Sequence, residues 1–261
     1  MRGPTFTDRH MRLIYIGLAA VLIGIGAAEA VMLFQIIGAQ DALGADPVFF
    51  REIAQRWIDT GKFYTEHQLS GPYTTVTLQD NLYPPSALYL FVPFTVLPAV
   101  LWWILPVAFV IWAVWRLRPR AWAWPLLALV LALPKTWVVL LYGNTDMWLT
   151  AFVAGAVLFA WPAILITIKP SLVFLALIGI TRRSWWIAAA VFAVLNIPLI
   201  PLWLDWTTVI RNSTVTAEYS LANLPLITLP VVAWLASSRR LGLRLSPRIA
   251  ARLPQPTTVP S

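Results

Sequence analysis

The sequence predicts an all-α, polytopic helical membrane protein, and three observations support this fold class. Hydrophobic residues make up 59% of the 261-residue chain and charged residues only 11%, against roughly 25% charged in globular proteins. The mean hydropathy is +0.74, and the apolar runs are long enough for helices that cross a bilayer. Fifteen tryptophans fit a chain with many membrane–water interfaces, where indole rings concentrate. We expect about seven to nine transmembrane helices.

The net charge of +8 predicts no nucleic-acid partner, because the arginines form short clusters between apolar runs rather than one basic face. Such clusters normally mark cytoplasmic loops and contacts with anionic lipids of the membrane. Arg2, Arg9 and Arg12 therefore place the N-terminus in the cytoplasm, and the first apolar run is a retained helix rather than a cleaved signal. The chain has no cysteine and two histidines far apart, so neither a disulfide framework nor a histidine metal site is expected.

The first helix is predicted over residues 13–38 and contains one charge, Glu29. Residues 39–83 form the long polar loop of the chain and hold six of its eleven acidic residues. Because the N-terminus is expected inside, this loop is expected on the external side of the membrane.

Within that loop, "DPVFFREIAQRWIDTGKFY" is typical of an amphipathic helix. Asp46 is predicted as its N-cap, Pro47 as its first helical residue and Gly61 as its end. The apolar residues recur at the three-to-four spacing of one helix face. We expect this helix on the membrane surface, with its apolar side towards lipid or other helices.

The rest of the chain alternates apolar stretches with short polar or basic breaks. Residues 84–115 make one or two passes, and one net pass is favoured because it puts every basic cluster in the cytoplasm. We expect a single integral membrane domain over 1–238 and a basic, disordered cytoplasmic tail over 239–261. The other predicted segments are a basic turn at 116–120, a helix over 121–142, a polar break at 142–146, spans over 147–161 and 185–203, an apolar stretch over 162–181, and a last helix ending at "SSRR" (237–240).

Lys169 lies in the otherwise apolar "LITIKPSLVF". A lysine inside the bilayer costs about 2.5–3.5 kcal/mol, so a carboxylate, a water-filled cavity or an anionic ligand should offset it, unless the side chain snorkels to the interface. Pro170 removes a backbone hydrogen bond, so we expect two half-helices meeting at a break that lines a cavity. Lys135 repeats the pattern beside Pro134, and two such lysines favour a shared polyanion. Glu29 could pair with either lysine, as a purely structural solution.

Asp46 has two compatible interpretations. It can cap its helix, or it can present a carboxylate at the external mouth of the bundle, where the helix dipole favours the ionised form. An ionised carboxylate close to a hydroxyl can act as a general base. Asp146, in "GNTD", is predicted to cap the span that follows it.

The order of these pieces resembles the GT-C superfamily of polyprenyl-phosphate-sugar-dependent glycosyltransferases, with the closest similarity to glycosyltransferase family 87, a mannosyltransferase-like group. The pieces are the acidic external loop with its amphipathic helix, "YPP" at 83–85, "GNTD" at 143–146 and "IKP" at 168–170, and the resemblance covers roughly residues 10–190. It implies a GT-C-like fold and an inverting hexosyltransferase in the plasma (inner) membrane. The donor would be a polyprenyl-phosphate sugar, mannose being the best-known case, and the acceptor a lipid or glycan at the external face.

The same resemblance assigns roles to individual residues. It implies that Asp46 is the catalytic base, with Asp41 a weaker candidate, and that Lys169 meets the donor phosphate. The remaining residues expected at the site are Lys135, on the same phosphate, and Tyr83, Asn144 and Asp146, which would line it.

No metal or other cofactor is required if lysine stabilises the leaving phosphate. Asp41, Asp46 and Asp80 are the acids that could otherwise hold a divalent ion.

Two alternatives stay open. The stretch between the Trp161–Pro162 break and Lys169 has only about eight residues, too few for a full crossing, and the chain is short for the family. A catalytically inactive or partner-dependent relative acting as a membrane subunit is therefore one alternative. A small transporter or lipid-binding protein is the other, although the internal repeat expected of a transporter is not found.

Overall fold

The computed structural model describes residues 6–74, 79–214 and 224–237, with side chains described from residue 9. Over these residues the chain forms α- and 3₁₀-helices and no strand, which confirms the all-α class. Arg2 and the predicted tail over 239–261 lie outside the described residues.

Eleven α-helices and several 3₁₀ segments follow one another along the described parts of the chain. The α-helices are α1 (Phe6–Ala39), α2 (Ala45–Thr60), α3 (Glu66–Leu69), α4 (Leu88–Phe91), α5 (Leu101–Leu117), α6 (Trp124–Ala132), α7 (Pro134–Tyr142), α8 (Asp146–Phe159), α9 (Arg183–Asn196), α10 (Ile200–Asn212) and α11 (Leu224–Leu235). The 3₁₀ segments are Pro85–Ala87, Val92–Thr95, Ala121–Ala123, Trp161–Ile168, Pro170–Leu177 and Ile197–Leu199.

Two helical stretches are long and apolar enough to cross a membrane: Arg9–Ala39 and Arg183–Asn212. A third qualifies if the bent pair Ala121–Ala132 and Pro134–Tyr142, which meet at 61°, counts as one span. The bend lies at the predicted proline, because Pro134 cannot continue the helix before it. Most side chains of the two long stretches are exposed, as expected of helices whose outer faces contact lipid.

Helices α5 and α8 run side by side in the same direction. Near their first turns the rings of Trp102 and Trp148 are 5.7 Å apart. Near their last turns the rings of Trp112 and Phe159 are 6.1 Å apart and stacked. The two helices therefore end at the same end of the bundle.

The basic clusters 116–120 and 182–183 gather where α5 and α8 end. Arg182 Nη1 donates to the carbonyl of Leu158 at 3.4 Å, and Ser237 Oγ, just after α11, donates to the carbonyl of Leu117 at 2.6 Å. We call this the basic end, and the opposite end, which carries α2 and residues 143–146, the loop end. Both clusters thus share one end, as a single net pass through residues 84–115 requires.

Residues 161–177 form a hairpin of two 3₁₀ limbs that meet at Lys169. Lys169 has extended backbone angles (φ −123°, ψ 95°) between the segments Trp161–Ile168 and Pro170–Leu177, so the predicted break is present, although its limbs are 3₁₀ rather than α. The outer ends of the limbs meet at Gly179 (φ +80°), where an added Cβ would lie 2.4 Å from the Ala160 Cβ. Only glycine fits that close approach. The hairpin therefore leaves and returns at the end of α8, the basic end.

Helix α2 confirms part of the predicted amphipathic helix and corrects its start. Gly61 ends it with φ +72° and donates to the carbonyl of Trp57. The N-cap is Gly44, with no side-chain cap, and Asp46 lies inside the first turn, so the predicted N-cap at Asp46 and helix start at Pro47 are wrong. The apolar face packs against other helices rather than facing outward: Phe50 is buried and stacks on Phe91 with ring centroids 4.5 Å apart.

Candidate functional site

Four of the predicted site residues are connected by hydrogen bonds at the loop end. Asn144 Nδ2 donates to Asp46 Oδ2 at 2.7 Å, and Asn144 Oδ1 accepts from the backbone N–H of Asp146 at 3.1 Å. Lys169 Nζ donates to Asp146 Oδ1 at 2.6 Å. Residues far apart in sequence, from α2, the α7–α8 break, α8 and the hairpin tip, thus form one polar chain, which we call the loop-end site.

Gly143 allows the α7–α8 break to approach α2 closely. Its φ is +77°, and an added Cβ would lie 2.7 Å from Pro47 Cδ and 2.8 Å from Trp103 Cζ2. The Gly143 carbonyl accepts from Trp102 Nε1 at 2.6 Å. A side chain at position 143 would therefore push the break away from α2, and glycine is what brings Asn144 within reach of Asp46.

Asn144 can hold only one orientation at this site. The Asp146 N–H at the start of α8 requires an acceptor, so the amide oxygen of Asn144 faces α8 and its NH₂ faces Asp46. An N–H bond to the ionised form of a carboxyl stabilises that form. Asn144 therefore stabilises the ionised form of the Asp46 carboxyl, and its bond to the first turn of α8 fixes its position.

The pKa of Asp46 is raised above the ordinary carboxyl value, first because burial removes water from the charged form and then because Asp146 repels it. The hydrogen bond from Asn144 and the positive charges of Lys169 and Lys135 act in the opposite direction. A carboxylate with a raised pKa is a stronger base than an ordinary one, so Asp46 is suited to accept a proton from a weak acid such as a hydroxyl.

The positive charge of Lys169 is offset by a carboxylate, that of Asp146, which is one of the three possibilities that the sequence raised. Its side chain is 12% exposed and that of Asp146 is fully buried. Asp146 Oδ2, the other oxygen, is also buried and has no hydrogen-bond partner among the described residues. Asp146 was predicted to cap α8, and this is wrong: Thr145 is the N-cap residue, without a side-chain cap, and the Asp146 carboxylate pairs with Lys169 instead.

Glu29, the alternative partner for either lysine, is in no ion pair within the described residues. Its Oε2 atom is buried and has no hydrogen-bond partner in the described part of the chain.

Tyr83 also belongs to the site, through a neighbour that the sequence did not single out. Its hydroxyl is 2.6 Å from Thr145 Oγ1, and its carbonyl accepts from the Tyr64 hydroxyl at 2.8 Å. Thr145 is fully buried beside Asp146. The signal available in the sequence was its position in "GNTD", between the predicted site residues Asn144 and Asp146.

The remaining predicted residues stand apart. Lys135 is exposed in the first turn of α7 and reaches Asp46 only through its charge. Asp41 is exposed in the turn after α1, with φ +51°. No group of three acidic, histidine or cysteine residues could hold a metal ion within the described ranges, so Asp41, Asp46 and Asp80 do not come together. Asp80 lies instead against His67 Nδ1, at 3.0 Å.

In the described part of the chain, two apolar grooves run along the bundle. The first, of about 460 Å³, lies between the first limb of the hairpin and α9, and we call it the hairpin groove. The second, of about 720 Å³, lies among α1, α5, α6, α7, α8 and α11, and Arg118 lines it, so we call it the arginine groove. The loop-end site residues line neither groove.

Comparison of the chain with family models, with curated proteins and with solved structures finds no match.

Proposed function

We propose that the protein is a membrane glycosyltransferase that moves a hexose from a polyprenyl-phosphate donor to an acceptor hydroxyl. The observation that supports it best is the hydrogen-bonded chain from Asp46 through Asn144 and Asp146 to Lys169. It links a carboxyl of raised pKa to a partly accessible ammonium. Both groups are far apart in the sequence, and the resemblance to GT-C glycosyltransferases assigns them to the two halves of this reaction.

Each group has a defined part in the transfer. Asp46 accepts the proton of the acceptor hydroxyl as its oxygen attacks the anomeric carbon of the donor sugar. The bond from that carbon to the phosphate oxygen breaks, and polyprenyl phosphate leaves with the electron pair, so the anomeric configuration inverts. Lys169 stabilises the negative charge that develops on the phosphate, and it does so more strongly in a site of low dielectric than in water.

Lys169 can bind the phosphate without leaving Asp146. An ammonium has three donors, and one of them is used on Asp146. Lys135 carries a second positive charge near Asp46, so a phosphate between the two lysines would be attracted by both.

The hairpin groove is the surface that we assign to the prenyl chain of the donor. Ile164 and Leu165, which line it, belong to the limb that ends at Lys169. A chain in this groove would therefore run along the element that carries the phosphate-binding lysine, with its own apolar surface removed from water.

We further propose how the chain sits in the plasma membrane. The passes are the two long stretches α1 and α9–α10, the bent pair α6–α7, and the shorter apolar helices α5, α8 and α11. Residues 161–177 re-enter from the basic end without crossing. Six passes are fewer than the seven to nine that the sequence predicted, because the hairpin and residues 84–95 do not traverse. With the basic end in the cytoplasm, residues 39–83 and the loop-end site face the exterior, as in a GT-C-like fold.

A second candidate is a membrane subunit without catalytic activity. The observation that favours it is the closed ion pair, since Asp146 already neutralises Lys169 and thereby weakens its attraction for a phosphate. In that case the pair is structural and Asp46 has no substrate.

Transfer assays on purified protein separate the two candidates. The assay supplies polyprenyl-phosphate mannose or glucose, a membrane lipid extract as acceptor, and the variants Asp46→Asn and Lys169→Ala. We expect a loss of at least about 100-fold in kcat for Asp46→Asn, the lower range for a general base. Lys169→Ala also leaves the buried Asp146 unpaired, so its loss of kcat is measured on the protein that remains folded, as judged by its thermal unfolding.

The matched controls are Asp59→Asn, an exposed acid on the same helix, and Lys62→Ala, an exposed lysine of the same loop. Both should retain activity. A parent protein that transfers neither sugar, or variants that equal their controls, would favour the non-catalytic subunit.

A further inference from the structure

The arginine groove is an apolar channel with one positively charged side chain, Arg118, at one end. Its lining is apolar along α1, α5, α6 and α11, apart from Arg118 at the basic end and Thr150 at the other. The Thr150 hydroxyl donates to the carbonyl of Asp146 at 2.6 Å, so its donor is already used. Arg118 is therefore the charged group that a ligand in this groove would meet.

The turn that carries Arg118 is held in place by two helices. Arg118 has φ +49° and its N–H bonds to the carbonyl of Val114, which ends α5. Two residues later, the N–H of Arg120 donates to the carbonyl of Ala236, at the end of α11. The guanidinium thus starts from a fixed backbone position at the mouth of the groove.

The aromatic residues around the mouth have the character of a membrane interface. Trp115 and Trp124 line the groove at the same end as Arg118, and they are 66% and 43% exposed. Exposed indoles concentrate at the level of lipid headgroups. The mouth of the groove therefore lies where the phosphate of a bilayer lipid would lie.

Along α5 the groove is long enough for one lipid chain. From Pro106 to Arg118, both in its lining, α5 advances about 18 Å at 1.5 Å per residue. The hydrocarbon core is about 30 Å thick, so one leaflet accounts for about 15 Å of it. A chain that starts at Arg118 would run along α5 and past the middle of the bilayer, towards Thr150 near the start of α8.

We infer that the arginine groove binds an anionic phospholipid of the leaflet at the basic end, with its phosphate at Arg118 and one acyl chain along α5. Basic pockets between transmembrane helices on the cytoplasmic side are suited to such headgroups. The site is separate from the loop-end site, so the inference holds whether or not the protein transfers sugars.

Native mass spectrometry of the delipidated full chain in neutral detergent tests the inference. Phosphatidylglycerol and phosphatidylcholine with the same acyl chains are titrated separately. We expect phosphatidylglycerol to bind more tightly, and Arg118→Gln to weaken its binding about fivefold, which corresponds to about 1 kcal/mol for one arginine beside an anionic lipid. Arg183→Gln, an exposed arginine at the basic end that lines neither groove, is the matched control and should bind like the parent.

A second variant tests the channel independently of the charge. Ile111 lines the groove and is 64% exposed, so Ile111→Trp can fill the channel without disturbing the core. It should weaken both lipids. Equal affinity for the two headgroups in the parent, equal losses for Arg118→Gln and Arg183→Gln, or no effect of Ile111→Trp would each overturn the inference.

Discussion

At the scale of single residues, the ion pair of Lys169 and Asp146 is the most constrained interaction of the loop-end site. Two charges removed from water lose hydration, and their attraction recovers it only with good geometry. Here Lys169 Nζ is 2.6 Å from Asp146 Oδ1, and the Asp146 side chain is fully buried. Removing one partner leaves a buried charge alone, which is more costly than removing both.

Asp146→Ala should therefore destabilise the protein by about 3–5 kcal/mol, and the double change Asp146→Ala with Lys169→Met should recover much of that loss. Thermal unfolding in detergent measures both. Lys62→Met, which breaks an ion pair whose side chains are 63% and 86% exposed, is the control and should leave the unfolding temperature close to that of the parent. A double variant as unstable as Asp146→Ala would contradict the account of the pair.

The hydrogen bond from Asn144 influences the pKa of the Asp46 carboxyl. Removing the Asn144 side chain should therefore change the pH dependence of activity. Its hydrogen bond lowers the pKa of Asp46, against burial and the charge of Asp146, while Lys169 and Lys135 also lower it. In Asn144→Ala the pKa of Asp46 should rise further. A base is active only when deprotonated, so kcat/KM should begin to fall at a higher pH as the solution is acidified.

This second prediction rests on the proposed function. Asn196→Ala, which removes a half-buried asparagine remote in sequence from the site, is its control and should leave the acidic limb of the profile in place. A profile that does not move in Asn144→Ala would show that Asp46 is not the titrating base.

At the scale of elements, the sequence predicted where helices break better than how the breaks connect. Pro134 and Pro170 marked both breaks because proline removes a backbone donor. The start of α2 was misplaced because aspartate before proline is a common cap, while Gly44 supplies the φ of +69° that the turn needs. The glycine preference for that conformation is visible only once the turn is known.

The pairing of Asp146 with Lys169 could not be predicted, because it depends on the depth to which the hairpin returns along α8. The spacing of residues along one helix shows which of them share a face, but not which faces meet at a sequence separation of 23 residues. The grouping of Asp46 with Asn144 depends likewise on the contact of α2 with the α7–α8 break. The resemblance to GT-C glycosyltransferases pointed to the residues of the loop-end site, and the packing of the helices brings them together.

At the scale of the whole molecule, the arginine clusters 116–120 and 182–183 lie at one end of the bundle, and the acidic loop that contains α2 lies at the other. Arg120 and Arg183 are exposed at the basic end, and Lys62 is exposed in the loop that follows α2. Positively charged loops are retained in the cytoplasm. The orientation that we propose therefore follows from where the helices end, and each end can be probed by itself.

Single cysteines report this orientation without background, because the chain has none of its own. In intact cells a membrane-impermeant maleimide should label Lys62→Cys, and it should label Arg120→Cys and Arg183→Cys only after permeabilisation. All three positions are exposed, so a missing signal reflects the side of the membrane rather than burial. Labelling of Arg183→Cys but not Arg120→Cys from outside would mean that residues 161–177 cross the bilayer, which would move Lys169 away from the loop-end site and remove the basis of the proposed reaction.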